Sequence, residues 1–127
     1  MHTTRREGNV TRIRLALAAA MVGLMVAVPA QASLAKLAGT TGPGFTITLK
    51  KGTTKVTRLK AGTYAITVAD KSSAHNFHLI GAGVNKKTTV DFVGKKTWTV
   101  TLQKGKTYRF ICDPHVALGM KGSFKTF

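Results

Sequence analysis

The chain has 127 residues, 20 Lys and Arg against four Asp and Glu, a formal charge of +16, and one Cys. That length supports one hydrophobic core rather than two, and a lone Cys excludes an intrachain disulfide framework. The charge invites a nucleic-acid partner, but no helix-turn-helix, zinc-finger or RNP pattern accompanies it, so nucleic-acid binding is not expected.

Residues 1–32 read as an export signal. Arg5, Arg6, Arg12 and Arg14 make a positive opening, Leu15 to Val28 an uncharged and mostly apolar run, and Ala30-Gln31-Ala32 a small-residue cleavage site. The run is short for a membrane span, so cleavage is expected and no stable span should remain. Losing Arg5, Arg6, Glu7, Arg12 and Arg14 takes the charge from +16 to +13. The expected destination is the periplasm or the outside, an oxidising place. Charge of this size favours a monomer, with acidic proteins or an anionic envelope surface as partners.

Residues 33–44 are rich in Ala, Gly and Thr and close on Gly42-Pro43-Gly44, which predicts a linker. From residue 45 to 127 the pattern has period two, with turn residues every eight to twelve positions. This predicts an all-β sandwich, with no convincing helix. Phe45, Ile47 and Leu49 form one apolar parity, and Tyr64, Ile66 and Val68 another. Phe77 and Leu79, then Trp98, Val100 and Leu102, then Tyr108, Phe110 and Cys112, continue the series. Met120, Gly122 and Phe124 close it. If successive strands from Gly62 run antiparallel, His75 and Cys112 arrive at the same pole. That scheme puts Lys71, Lys95 and Lys96 at this pole, and Lys86, Lys87, Lys104 and Lys106 at the other.

The chemistry gathers near the C-terminal end. Cys112, His115 and Met120 lie within nine residues, and His75 must join them from elsewhere. In an oxidising compartment an unpaired Cys112 is an intermolecular disulfide, an inert buried thiol or a metal ligand. One thiolate, two imidazoles and a weak thioether form the donor set of a blue-copper site, suited to a metal that alternates between Cu(I) and Cu(II). Pro114 stiffens the loop between Cys and His, and Gly119 lets it turn tightly before Met120. Met120 also fits a core position at the start of a strand. His78 falls on the parity opposite His75; it fits a surface or packing histidine, a secondary copper contact or a proton-linked switch.

The stretch Gly105-Lys106-Thr107-Tyr108-Arg109-Phe110-Ile111-Cys112-Asp113-Pro114-His115, followed by Gly119-Met120-Lys121-Gly122, resembles the C-terminal motif of plastocyanin and its cupredoxin relatives. His75-Asn76 is similar to the pair that supplies the family's first copper ligand. The likeness spans residues 42–127 and is to the cupredoxin core, since the acidic docking patches of photosynthetic plastocyanins have no counterpart here. It implies a cupredoxin-like Greek-key β-sandwich with one copper ion at one pole, held by His75, Cys112, His115 and Met120. Asn76 would hydrogen-bond between the two ligand loops, and Phe110 would help exclude water from the metal. The implied function is a soluble one-electron carrier, not an enzyme, that exchanges electrons through His115 and docks redox partners with acidic surfaces through residues 116–118. The alternative is copper handling, by delivery or storage, which a single Met and three His after the signal do little to support.

Overall fold

Alternating apolar residues need a sheet that can bury one face, and ten short strands provide two such sheets. The computed structural model describes residues 18–30 and 32–127. The strands are β1 Ala35–Thr41, β2 Ile47–Lys51, β3 Thr54–Lys55, β4 Arg58–Leu59 and β5 Gly62–Asp70, followed by β6 His78–Gly81, β7 Val84–Lys87, β8 Gly94–Leu102, β9 Thr107–Ile111 and β10 Lys121–Thr126. One sheet has the order β3-β2-β1-β5-β8 and the other β4-β10-β9-β6-β7. The chain therefore changes sheets on entering and leaving β4, between β5 and β6, between β7 and β8, and between β8 and β9. Both sheets are mixed: β1 runs parallel to β5, and β4 parallel to β10. The all-β sandwich expected from the sequence is the fold found.

The inward parity forms one core between the sheets. Leu49, Tyr64, Ile66, Val68, Phe77, Leu79, Val100, Leu102, Tyr108, Phe110 and Phe124 are all buried. The Phe77 and Phe110 rings stack 5.9 Å apart, as do Tyr108 and Phe124 at 5.5 Å. Gly122 makes room for this packing, because a Cβ there would overlap the Phe110 ring. Tyr108 keeps its hydroxyl satisfied at the far end, accepting from Gln103 N–H at 2.8 Å and donating to the Ala82 carbonyl at 3.0 Å.

Three sequence expectations change. Residues 33–44 are not a linker: β1 lies between β2 and β5, with Leu37 buried. Its inward residues are otherwise Gly39 and Thr41, so its apolar signal is weak. Gly39 is nevertheless required, since a Cβ there would stand 2.9 Å from the Phe77 ring. Secondly, Phe45 does not extend the apolar parity of β2. It precedes the strand and is 62% exposed. Thirdly, Lys87 is not at the pole opposite His75. The short hairpin through Ala82 and Gly83 pairs Lys87 with His78 and Lys86 with Leu79, so β7 has already returned towards the His75 end.

Residues 18–30 carry no helix or strand and are exposed. No helix among the described residues is long and apolar enough to cross a membrane. The arginines of the expected signal, and Gln31 at its cleavage site, lie outside the described residues.

Candidate metal centre

The register of the sheets brings two distant segments to one pole. Asp70 pairs with Gly94 and Thr41 at the end of one sheet, and His78 pairs with Ile111 and Lys87 at the same end of the other. His75 sits in the segment that joins β5 to β6, and Cys112 directly follows β9.

After Cys112 the chain forms a 3-10 turn, Asp113–Leu118. Pro114 occupies its first positions, where a missing N–H costs nothing. Gly119 ends the turn in the left-handed region, φ 92°, which favours glycine. The loop closes on itself: Cys112 N–H donates to the Met120 carbonyl at 3.0 Å, His115 N–H to Cys112 at 3.1 Å and Met120 N–H to His115 at 3.3 Å. A nine-residue loop thus carries three donors on a fixed frame.

His75 Nδ1 and His115 Nδ1 stand 2.8 Å apart, and Cys112 Sγ lies 3.7 and 3.6 Å from them. Metal–nitrogen and metal–sulfur bonds of about 2.0–2.3 Å put three donors around a common centre about 3.5 Å apart, so the triangle fits one ion with the two nitrogens drawn slightly close. His75, Cys112 and Met120 are buried, and His115 is half-buried. Among the described residues, His75, Cys112 and His115 form the one group of side chains so gathered. Phe45 packs edge-on against both imidazoles, with ring centroids 5.3 Å from His75 and 4.9 Å from His115. Its other side is open to solvent, so it screens the ring edges that the sandwich leaves uncovered.

A hydrogen-bonded belt ties the two segments. Asn76 Nδ2 donates to Asp113 Oδ2 at 2.8 Å and to the Thr88 carbonyl at 3.2 Å, and Asp113 N–H donates to Asn76 Oδ1 at 2.7 Å. Thr88 Oγ1 accepts from Phe77 N–H and donates to Asp70 Oδ2 at 2.8 Å. Burial pushes the Asp70 carboxyl above its ordinary value, against the hydrogen bonds from Thr88 and Ser72. At Asp113 burial acts in the same direction, but hydrogen bonds from His78 and Asn76 and the charge of Lys87 outweigh it and hold this carboxyl below its ordinary value.

The sequence reading named His75, Cys112 and His115, which the fold brings together. Met120 is buried and bonded to Cys112 through the backbone. Asn76 bridges the loops. Phe110 is buried against Phe77, and Pro114 shapes the turn. His78 is apart from the donors, held by Asp113 and Asn85. The reading missed Phe45, Asp70, Thr88 and Asp113. Asp113 alone had a local signal, an acid beside the only Cys in a chain with few acids.

The profile of the copper-binding proteins of the plastocyanin/azurin family matches residues 46–126. Among solved structures, dithionite-reduced auracyanin from the photosynthetic bacterium Roseiflexus castenholzii is similar in fold, with a TM-score of 0.55 and 20% identity, covering 76% of this chain and 99% of that one. Reduced rusticyanin is similar with a TM-score of 0.53 and 21% identity, covering 72% of this chain and 78% of that one. Rusticyanin from Thiobacillus ferrooxidans gives 0.52 and 21%, over 72% and 76% of the two chains. A comparison with curated protein sequences gives no match. A paired sandwich, a buried thiol between two imidazoles and a profile that spans most of the strands agree: this chain is a copper protein and belongs to the plastocyanin/azurin family.

Proposed function

We propose that the protein is an exported one-electron carrier whose copper is held by His75, Cys112, His115 and Met120. The observation that carries this reading is the meeting of two imidazole nitrogens and one thiol at a closed pole, with only His115 partly exposed. Copper bound there supplies a one-electron couple, and a thiolate with two imidazoles serves both oxidation states. The chain's own residues do the rest. The backbone-closed loop and the Asn76 bridge fix the donors, which limits rearrangement when charge changes. Phe45, Phe77 and Phe110 keep water away. His115 offers the shortest path to the surface, beside Ala117 and Leu118, which is 70% exposed.

Docking is assigned to this pole. Exposed Phe45, Pro114, Ala117 and Leu118 make an apolar patch, with Lys71, Lys87, Lys95, Lys96 and Lys121 at the same end of the sheets. An acidic redox partner fits that arrangement, and lysines steer it into place. Export rests on the Arg-led apolar run of residues 1–32, with the periplasm or the outside as destination. With three donors buried and His115 half-buried, the site suits electron exchange rather than substrate turnover.

The test is the visible absorption of the purified protein titrated with Cu(II). An intense blue band at one equivalent, bleached by ascorbate, is expected. Cys112→Ser should abolish that band, and Met120→Gln should keep colour with a shifted potential, because the axial donor tunes rather than makes the site. An unchanged spectrum in Cys112→Ser would refute the ligand assignment. Copper retained through repeated oxidation and reduction supports the carrier; rapid release to an apo-protein acceptor points to copper delivery.

A further inference from the structure

His78 has a place that the donor set does not explain. It projects from β6 with its side chain only 13% exposed, and both ring nitrogens are engaged. Nδ1 meets Asp113 Oδ1 at 2.8 Å, and Nε2 meets Asn85 Oδ1 at 2.6 Å. A carboxylate only accepts, so Nδ1 carries the hydrogen; the Asn85 amide completes the pair at Nε2, its oxygen accepting from a second ring hydrogen or its nitrogen, with the amide flipped, donating to the bare ring nitrogen. Asn85 lies on β7, one hairpin away, and braces the ring from the other side.

The recipient matters because of where it stands. Asp113 directly follows Cys112 and opens the 3-10 turn that carries His115. No residue of that turn is buried, and Cys112 at its N-terminus offers no side-chain cap of its own. With His115 and Val116 only half-buried and Phe45 packed on one edge of His115, packing alone holds the turn weakly, and hydrogen bonds carry more of it. Beyond the loop's own backbone closure, Asp113 supplies the ties: one oxygen to Asn76, the other to His78, and its N–H to Asn76. Bonds to an ionised carboxylate are about twice as strong as neutral ones.

We propose that His78 is a positioning residue for the metal loop: braced by Asn85, it fixes Asp113 and through it the placement of Cys112 and His115. This rests on the reading that Cys112 and His115 hold the copper. Asn76 alone leaves one carboxylate oxygen free to swing; His78 supplies the second point that stops rotation. The loop is then set before the metal arrives and stays set when its charge changes.

The experiment uses the full chain with His78→Leu and His78→Asn. The Asn amide nitrogen stands close to where Nδ1 stood, so it keeps a donor for Asp113, whereas Leu keeps bulk alone. Two quantities are read: amide hydrogen exchange across residues 113–119 in metal-free protein, and the rate of copper loss to excess chelator. In His78→Leu both should rise about tenfold, the lower end of what loss of an outer-shell partner costs a metal site. Amides of β5 and β8 should stay as protected as before. His78→Asn should return both quantities to within about threefold of the unaltered protein. Asp113→Asn, which leaves β6 untouched, should loosen the same segment and serves if His78→Leu does not fold. Unchanged exchange and unchanged copper loss in His78→Leu would overturn the proposal, as would equal loosening by Leu and Asn, which would assign the effect to ring packing. Absence of a Cys112-dependent blue band in the unaltered protein refutes the proposed function instead, while the exchange measurement still decides whether His78 sets the loop.

Discussion

Two carboxylates within the same belt respond to acid in opposite directions. Asp113 is held below its ordinary value, so its ionised form favours the fold. The stability it contributes is present above 3.8 and is lost as the pH falls through its folded value. Asp70 is held above 3.8, so its protonated form favours the fold, and the stability it contributes is lost as the pH rises through its folded value. Thermal melting of metal-free protein should show this. The advantage of the unaltered protein over Asp113→Asn should shrink on acidification below pH 3.8, whereas its margin over Asp70→Asn should grow as the pH falls towards 3.8 from above and level off below it. A parallel loss in both comparisons would mean that neither carboxyl behaves as its surroundings dictate.

At the level of elements, β1 gives the sharpest test. Leu37→Ala empties a buried position and should cost about 2–4 kcal/mol in urea unfolding; in a true linker it would cost close to nothing. What made β1 hard to read also explains what was easy. Cys112, His115 and Met120 were legible because one short loop carries them and their chemistry is rare in combination. β5, β6, β8, β9 and β10 were legible because large apolar residues recur at alternate positions, whereas β7 has one inward apolar residue, Val84, and was not. In β1 the inward positions are Leu37, Gly39 and Thr41, and Gly39 is small because the Phe77 ring crowds it. A strand selected by its neighbours' bulk carries little signal of its own. Phe45 was misplaced for a related reason: its parity matched β2, but the bend before Ile47 sends its ring to the histidines. Lys87 was misplaced because period two reveals a strand but not the length of the hairpin that turns it back. Asp70 and Thr88 belong to the same class, polar residues buried by a pairing between sheets that no local pattern encodes.

On the scale of the whole molecule, charge is the dominant fact. Three acids face sixteen bases in residues 33–127, so the net field is strongly positive, and under the proposed function the apolar patch at the site pole gives it a docking direction. The rate of electron exchange with an acidic partner should fall steeply as ionic strength rises, as screening shortens to about 8 Å at 0.15 M salt. Stopped-flow rates for Lys71→Gln with Lys87→Gln should drop at low salt, whereas Lys104→Gln with Lys106→Gln, at the opposite end, should leave them nearly unchanged. Equal effects from both pairs would show that the charge acts as a general field rather than a guide to one pole.

The parallel pairing of β1 with β5 has a practical consequence. It starts β1 beside Tyr64, far from the histidines, and β10 likewise runs away from them to end beside Leu59. Both ends of the sandwich's chain therefore leave from the pole opposite the copper donors. A tether placed ahead of Ala35 or after Thr126 will hold the molecule upright on an electrode with His115 turned outward, and wiring by either end should leave the redox face equally free.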